Sequence, residues 1–248
     1  MLTFKIIAGN LWRFWFFFNA VFIFFLLYPF VVFYIRKPSG YATVFKLKKI
    51  WADYTLFMAG IKCRVIESAA LEKNKAYIFC PNHSSILDIF ISYKVLPKYF
   101  HFMGKAELKH LPMFGIFFKD MNIAVDRESL KSSYNAFQRA ASDLNQGISL
   151  GIFAEGTIPA CTPQLGNFKN GAFKLAIEHQ VPIVPVTYVN AWKLLPDINR
   201  KLGGSPGTIL VYLHAPIHNT TKDLSQMTHL RDAVRTKIKQ PLQSYYIE

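Results

Sequence analysis

Cysteine is scarce in this chain of 248 residues: Cys63, Cys80 and Cys161, odd in number and widely spaced. That excludes a disulfide framework or a zinc site and favours a reducing compartment. Glycine is modest at 13, which rules out a collagen-like chain. Charge is thin at 18%, and acids are the scarcer sign, 15 Asp and Glu against 29 Lys and Arg, for a formal +14. No Walker A sequence and no dinucleotide-binding glycine fingerprint occurs, so nucleotide chemistry has no motif behind it. No internal repeat and no low-complexity linker breaks the chain. What is abundant is apolar: 52% hydrophobic and 16% aromatic residues exclude disorder. A chain this basic and this apolar suits an anionic partner, either nucleic acid or a membrane carrying acidic lipids.

The apolar excess is local. Ten of the 23 phenylalanines fall in the first 40 residues, and Phe14 to Ile35 is a run of 22 residues without a charge. As a helix it would be about 33 Å long, close to the ~30 Å hydrocarbon core. The run is too long for a signal peptide and ends in Tyr-Ile-Arg-Lys-Pro rather than small residues. Trp12, Trp15, Tyr28 and Tyr34 could lie at headgroup level, and Pro29 leaves spanning and re-entry both open. Arg36, Lys37, Lys46, Lys48 and Lys49 follow the run, against Lys5 and Arg13 before it. The positive-inside rule then puts the rest of the protein on the cytoplasmic face of the cell membrane.

Residues 41–60 read as an amphipathic helix, either interfacial or an ordinary surface one. Beyond it, short apolar runs alternate with helical patterns. Strands are expected at Ala76–Cys80, Tyr99–Met103, Asn122–Val125, Ile148–Phe153, Ile183–Tyr188 and Thr208–Leu213. A helix with Leu130, Tyr134, Phe137, Ala141 and Leu144 on one stripe falls between the third and fourth. A last helix with Met227, Leu230, Val234 and Ile238 is expected to stop before Pro241. The alternation predicts an α/β fold: a largely parallel central sheet flanked by helices, with an N-terminal hydrophobic helical membrane anchor. The expected division is an anchoring region over 1–60 and an α/β domain over 61–248.

Two patterns are decoys. Gly203-Gly204-Ser205-Pro206-Gly207 matches G-x-S-x-G, but its serine precedes a proline and a strand, where a nucleophile elbow needs a helix. His214 and His218 have helical ligand spacing with Pro216 between them, so no metal site is expected. The informative stretch is Asn82-His83-Ser84-Ser85-Ile86-Leu87-Asp88, directly after the expected strand AYIFC. A histidine at the carboxyl end of a strand is where open α/β sheets place their sites. His83 can serve as general base while Asp88 fixes its tautomer. Asp88 has a second reading, because Ser85-x-x-Asp88 is a capping-box spacing with Ser85 as N-cap.

Asn82-His83-x4-Asp88 resembles the first block of the glycerolipid acyltransferases, the family that includes 1-acylglycerol-3-phosphate (lysophosphatidic acid) acyltransferases. Its second block is similar to Lys105-Ala106-Glu107-Leu108, then Pro112, Gly115 and Asp126-Arg127. Its third resembles Phe153-Ala154-Glu155-Gly156-Thr157 followed by Phe168-Lys169-Asn170-Gly171, and its fourth Val181-Pro182-Ile183-Val184-Pro185-Val186. Two departures stand out. Ala154 replaces the family's usual Pro, and Ile158 replaces the usual Arg that partners the acceptor's phosphate, a bidentate anchor that Lys cannot reproduce.

The resemblance implies transfer of a fatty acyl group from a thioester, acyl carrier protein or coenzyme A, to the sn-2 hydroxyl of lysophosphatidic acid, giving phosphatidic acid. It implies His83 and Asp88 as catalytic residues. Glu155, Gly156 and Thr157 would hold the acceptor, with Lys105, Arg127 and Lys169 for its phosphate. No cofactor and no metal is expected, the acyl thioester being a substrate. The expected partners are the lysophospholipid, the donor with or without its carrier protein, and an anionic membrane, with no nucleic acid. Ile158 motivates an alternative, O-acylation of a phosphate-free lyso-aminolipid. The +14 charge motivates one of another class, a membrane-tethered nucleic-acid-binding protein, although the cations are dispersed and no nucleic-acid-binding motif is evident.

Overall fold

The structure, a computed structural model, describes residues 2–126, 128–197, 203–219 and 221–247. In chain order its elements are α1 (Leu2–Tyr34), α2 (Tyr41–Met58), β1 (Ile61–Glu67), β2 (Ile78–Pro81), α3 (Leu87–Val95), β3 (Phe100–Lys105), α4 (Gly115–Asp120), β4 (Ile123–Val125), α5 (Leu130–Asn145), β5 (Ser149–Ile152), α6 (Gly171–His179), β6 (Ile183–Tyr188), α7 (Ala191–Leu194), β7 (Gly207–Leu213) and α8 (Met227–Ile247). The seven strands form one sheet in the order β1-β7-β6-β2-β5-β3-β4. From β6 to β4 every pairing is parallel, with Phe79 opposite Val184 and Gly151, Phe102 opposite Gly151, and Met103 opposite Ile123. β2, β5 and β6 are buried at every residue, as parallel strands covered on both faces must be. The α/β sheet expected from the alternation is therefore present, and the chain contains two compact units that are discontinuous in sequence.

The first unit comprises Met1–Val65, Ser84–Pro97 and Tyr188–Val211. Within it α1 and α2 form a helical pair. The turn between them includes Gly40, where a Cβ would lie 1.9 Å from the Tyr34 carbonyl oxygen, so only glycine lets the chain double back there. Phe16, Ala20, Phe24, Val31 and Ile35, at helical spacing, are buried. Phe16 meets Phe90 edge-on at 5.1 Å, and Trp51 lies 4.2 Å from the same ring. Three indoles stitch the pair: Trp51 Nε1 donates to the Ala20 carbonyl, while Trp12 and Trp15 donate to the Ala59 and Met58 carbonyls at the end of α2. The headgroup-level reading of Trp12 and Trp15 omits this bonding, which long-range packing creates.

Two cations counted as flanking charges are interior. Arg13 is buried and donates to the carbonyls of Gly203 and Pro196. Lys48 lies on the buried face of α2 with its amine 5.4 Å above the Tyr93 ring, and burial pulls its pKa down to about 7. The opposite face of α1 is exposed and equally apolar: Phe14, Phe25 and Phe33 are 69%, 66% and 70% accessible. The segment Lys5–Tyr34 is long and apolar enough to cross a membrane, and the helix runs unbroken through Pro29.

The second unit comprises Ile66–His83, Lys98–Thr187 and Tyr212–Glu248. Three expectations from the sequence need correction, the first two in this unit. α5 buries Ala136, Ala140, Ala141 and Leu144, whereas Leu130 is 91% accessible and Tyr134 is exposed, because only the later turns of this helix are packed. The final helix continues through Pro241 to Ile247, forgoing one hydrogen bond to the Lys237 carbonyl. β1 was absent from the expected strands: Lys62, Arg64 and Glu67 give it the polar texture of an edge strand.

Candidate active site

Parallel strands put all their carboxyl ends on one edge of a sheet, and the order β2-β5-β3-β4 makes four of those ends neighbours. His83 follows β2, Glu155 follows β5, Lys105 ends β3, and Asp126 follows β4. The topology thereby assembles blocks that lie up to 72 residues apart. Arg127, the remaining cation of the second block, lies outside the described residues.

His83 is half-buried and held from two directions. Its ring stacks on Phe153, centroids 4.0 Å apart and planes 17° from parallel, and Phe153 stacks in turn on Phe102 at 5.6 Å. Three stacked rings thus come from three adjacent strand segments, and the two phenyl rings fix the plane of the imidazole. A face-stacked imidazole keeps both nitrogens at its edge, where they can exchange protons. The backbone of His83 is pinned as well: its N–H donates to Glu155 Oε1 at 2.8 Å.

Glu155 is buried, and its second oxygen accepts the Gly166 N–H at 2.6 Å. A Cβ at Gly166 would sit 3.1 Å from that oxygen and 2.8 Å from Pro159, so the close approach requires glycine. Gly166 is clamped from its carbonyl side by Arg235 of α8, which bonds the carbonyls of Gly166 and Leu165 and lies 5.3 Å over the Phe168 ring. One turn earlier Arg231 donates to Asn170 Oδ1. A chain of contacts therefore runs from Arg235 through Gly166 and Glu155 to the backbone of His83.

The residues expected to hold the acceptor have the following contacts. Glu155 binds two backbone amides, and the Gly156 N–H is engaged by the Phe153 carbonyl inside its own turn at 2.9 Å. Thr157, Lys105 and Lys169 are exposed, and the Lys169 backbone is tied to the Ala154 carbonyl at 2.7 Å. Ala154 is buried, and Ile158 is half-buried. Cys80, the thiol nearest His83 in sequence, is fully buried. Burial first, and the Glu155 charge second, push its pKa far up, so it is held as an unreactive thiol.

Asp88 belongs to the first compact unit and is fully buried there. Its Oδ2 accepts the N–H groups of Ser84 at 2.6 Å and Ser85 at 2.9 Å. Ser85 Oγ accepts the Leu87 N–H and donates to the Leu195 carbonyl. The carboxylate half of a capping box is present, one residue ahead of the assigned helix start, while the Ser85 hydroxyl takes the Leu87 N–H and the Asp88 N–H bonds the Ser85 carbonyl. The capping role of Asp88 is thus structural fact, and the amides it grips directly follow His83 in the chain. His214 is buried against Thr187 Oγ1 at 2.9 Å, and burial lowers its pKa to about 4. Sequence reasoning assigned no role to Phe153, Gly166 or Arg235. Phe153 and the glycine lie within the third-block region, but Arg235 is 69 residues from Gly166 and sits on a helix with an ordinary apolar stripe.

A crystal structure of the 1-acyl-sn-glycerophosphate acyltransferase of Thermotoga maritima matches this chain with a TM-score of 0.80, covering 98% of each chain at 21% identity, which establishes the shared fold. A chloroplastic 1-acyl-sn-glycerol-3-phosphate acyltransferase of Arabidopsis thaliana is 28% identical over 198 residues, 79% of this chain and 53% of its own length. A probable 1-acyl-sn-glycerol-3-phosphate acyltransferase of Mycoplasma pneumoniae is 31% identical over 165 residues, 64% of this chain and 61% of its own. The match thus takes in about half to three-fifths of the length of these relatives. The family model described as Acyltransferase matches residues 62–189, from the first strand through the last block and over more than half of the sequence, and the chain belongs to the acyltransferase family.

Proposed function

We propose that the protein transfers a fatty acyl group from a thioester, acyl carrier protein or coenzyme A, to the sn-2 hydroxyl of lysophosphatidic acid, giving phosphatidic acid. The observation that carries this reading is His83: an imidazole at a strand's carboxyl end, stacked on Phe153 and backbone-pinned by Glu155. In the reaction His83 accepts the proton of the acceptor hydroxyl as that oxygen attacks the thioester carbonyl carbon. The tetrahedral intermediate collapses with cleavage of the carbon–sulfur bond, and the proton passes from His83 to the departing sulfur. The attacking group is the substrate's own hydroxyl, so no enzyme nucleophile is needed, in keeping with the deactivated Cys80. Asp88 fixes the His83 tautomer in addition to capping α3, and Lys105, Arg127 and Lys169 supply the charge that balances the acceptor's phosphate. The relatives named as 1-acylglycerol-3-phosphate acyltransferases support this acceptor.

The apolar outer face of α1 supports a membrane location. Because α2 returns alongside α1, we place the pair with Phe14, Phe25, Phe33 and Phe57 in lipid. Arg36, Lys37, Lys46 and Lys49 support the cytoplasmic face of the cell membrane and an anionic lipid surface.

Ile158 favours a second acceptor, a phosphate-free lyso-aminolipid. Loss of one charge-assisted hydrogen bond of the family Arg type is worth about 1.5–3 kcal/mol, or roughly 10- to 150-fold in affinity. The deciding experiment offers the purified protein in mixed micelles a panel of phosphate-bearing and phosphate-free lysolipids with both donors. Lysophosphatidic acid should be acylated efficiently, Lys105→Ala should cripple that reaction, and Ile158→Arg should be neutral or helpful. Efficient acylation of a phosphate-free lysolipid with none of lysophosphatidic acid would overturn the choice of acceptor.

A further inference from the structure

Against β4, the edge strand, a cavity of about 370 Å³ opens among residues of α4, α5 and the turn before α4. Its cations are Lys109, Lys119, Lys131 and Arg139, and among the described residues no acid lines it. Arg139 is held in place by Asp143 Oδ1 at 3.2 Å and the Asp120 carbonyl at 3.0 Å. Lys109, Lys119 and Lys131 form no ion pair among the described residues. Lys131 lies in the first turn of the 16-residue α5, where a cation opposes the helix dipole. Phe118 adds an apolar wall, and Asn135 a side-chain amide. A concavity lined by one sign of charge focuses its field on whatever enters, and the occupant that relieves the repulsion is an anion.

Size narrows the class. A volume of this order is that of a small-molecule site and larger than one phosphate needs. An aromatic wall, an amide and several cations together fit a phosphorylated nucleotide. From β2, which His83 follows, to β4 is three strand steps, about 14 Å laterally. An extended pantetheine arm covers that span. We propose that this cavity binds the 3′-phosphate and diphosphate of the adenosine end of coenzyme A. The arm then crosses the carboxyl ends of the strands and delivers the thioester to His83. The assignment of the ligand as the acyl donor rests on the acyl-transfer reading; the anion site itself does not.

The test is calorimetric titration of the full-length, detergent-solubilised protein with adenosine 3′,5′-bisphosphate. Wild type should bind it in a salt-sensitive manner. Lys119→Glu and Lys131→Glu, both at the surface, should each weaken binding about tenfold or more without lowering the melting temperature, and should raise KM for acyl-coenzyme A but not for the acceptor. Lys109→Ala provides an independent third variant. No binding at millimolar bisphosphate, equal binding by the variants, or inorganic phosphate binding as tightly as the bisphosphate would overturn the proposal. So would variants that impair only an acyl-carrier-protein donor. Binding is read without turnover, so lysine-dependent binding by a protein that transfers no acyl group would uphold the site and refute the acyl-transfer reading.

Discussion

Helices α1 and α5 each bury one face and expose the other, and they differ in what they expose. α5 turns polar side chains outward, Lys131, Asn135, Gln138 and Ser142. α1 turns out Phe14, Phe18, Val21, Phe25 and Phe33. An exposed apolar face of that length marks contact with something other than water. Periodicity read from sequence finds a helix by contrast between its faces. It therefore locates the buried stripe of α5 approximately and says nothing about which side of α1 is buried, because both sides are apolar. The first compact unit thus carries the adhesive surface, and the second carries the histidine and its supports.

If that division of labour is right, substitutions should separate attachment, stability and turnover. Replacing Phe14, Phe25 and Phe33 together by Ser removes about 1.5–3 kcal/mol of apolar transfer per side chain. Flotation with anionic vesicles should show the variant largely released, while its kcat in detergent micelles stays near wild type. Unchanged flotation would mean that another surface holds the membrane. On the buried side, Phe16→Ala should cost about 3–5 kcal/mol in unfolding, whereas Phe14→Ala in detergent should stay within about 0.5 kcal/mol. Equal losses would erase the distinction between the two faces of α1.

In the second unit, Glu155→Gln turns one acceptor oxygen into a donor facing either the His83 or the Gly166 N–H. Turnover should fall about 10²-fold through misplacement of His83, with vesicle binding intact. A fully active Glu155→Gln enzyme would show that the backbone pin is dispensable.

The smallest effect concerns His214. Its folded pKa lies below its unfolded value, near 4 against 6.5. The unfolded chain therefore binds the extra proton first as pH falls. Its contribution to stability is constant above about pH 6.5 and declines as pH drops toward 4. His214→Gln should flatten the melting temperature across that window relative to wild type, and an unchanged slope would remove His214 as its cause.

Much of the fold was legible because strand and helix periods alternate cleanly. Ile183–Tyr188 has the expected bounds, and α2 ends within two residues of its expected end. The misses have physical causes. β1 is an edge strand with charges, so it lacks the apolar run that marks the interior strands. Leu130 and Tyr134 fit the stripe of α5 geometrically, but no partner element covers that end. Pro241 is tolerated where a local rule stops the helix. At the site, His83, Asp88 and Glu155 were legible as motif residues, yet Glu155's partners were not. Its bond to His83 depends on β2 and β5 being neighbours, its bond to Gly166 on the fold of the loop after β5, and the clamp by Arg235 on where α8 docks. Motif spacing records which side chains a site uses, and only the packed sheet order records which of them hold the others.

The most direct test of the central claim is turnover of His83→Ala in mixed micelles with lysophosphatidic acid and an acyl thioester, alongside its melting temperature. The account predicts a folded protein whose turnover is lower by roughly 10²–10⁴ or more. A folded His83→Ala variant retaining activity within a few-fold of wild type would contradict it.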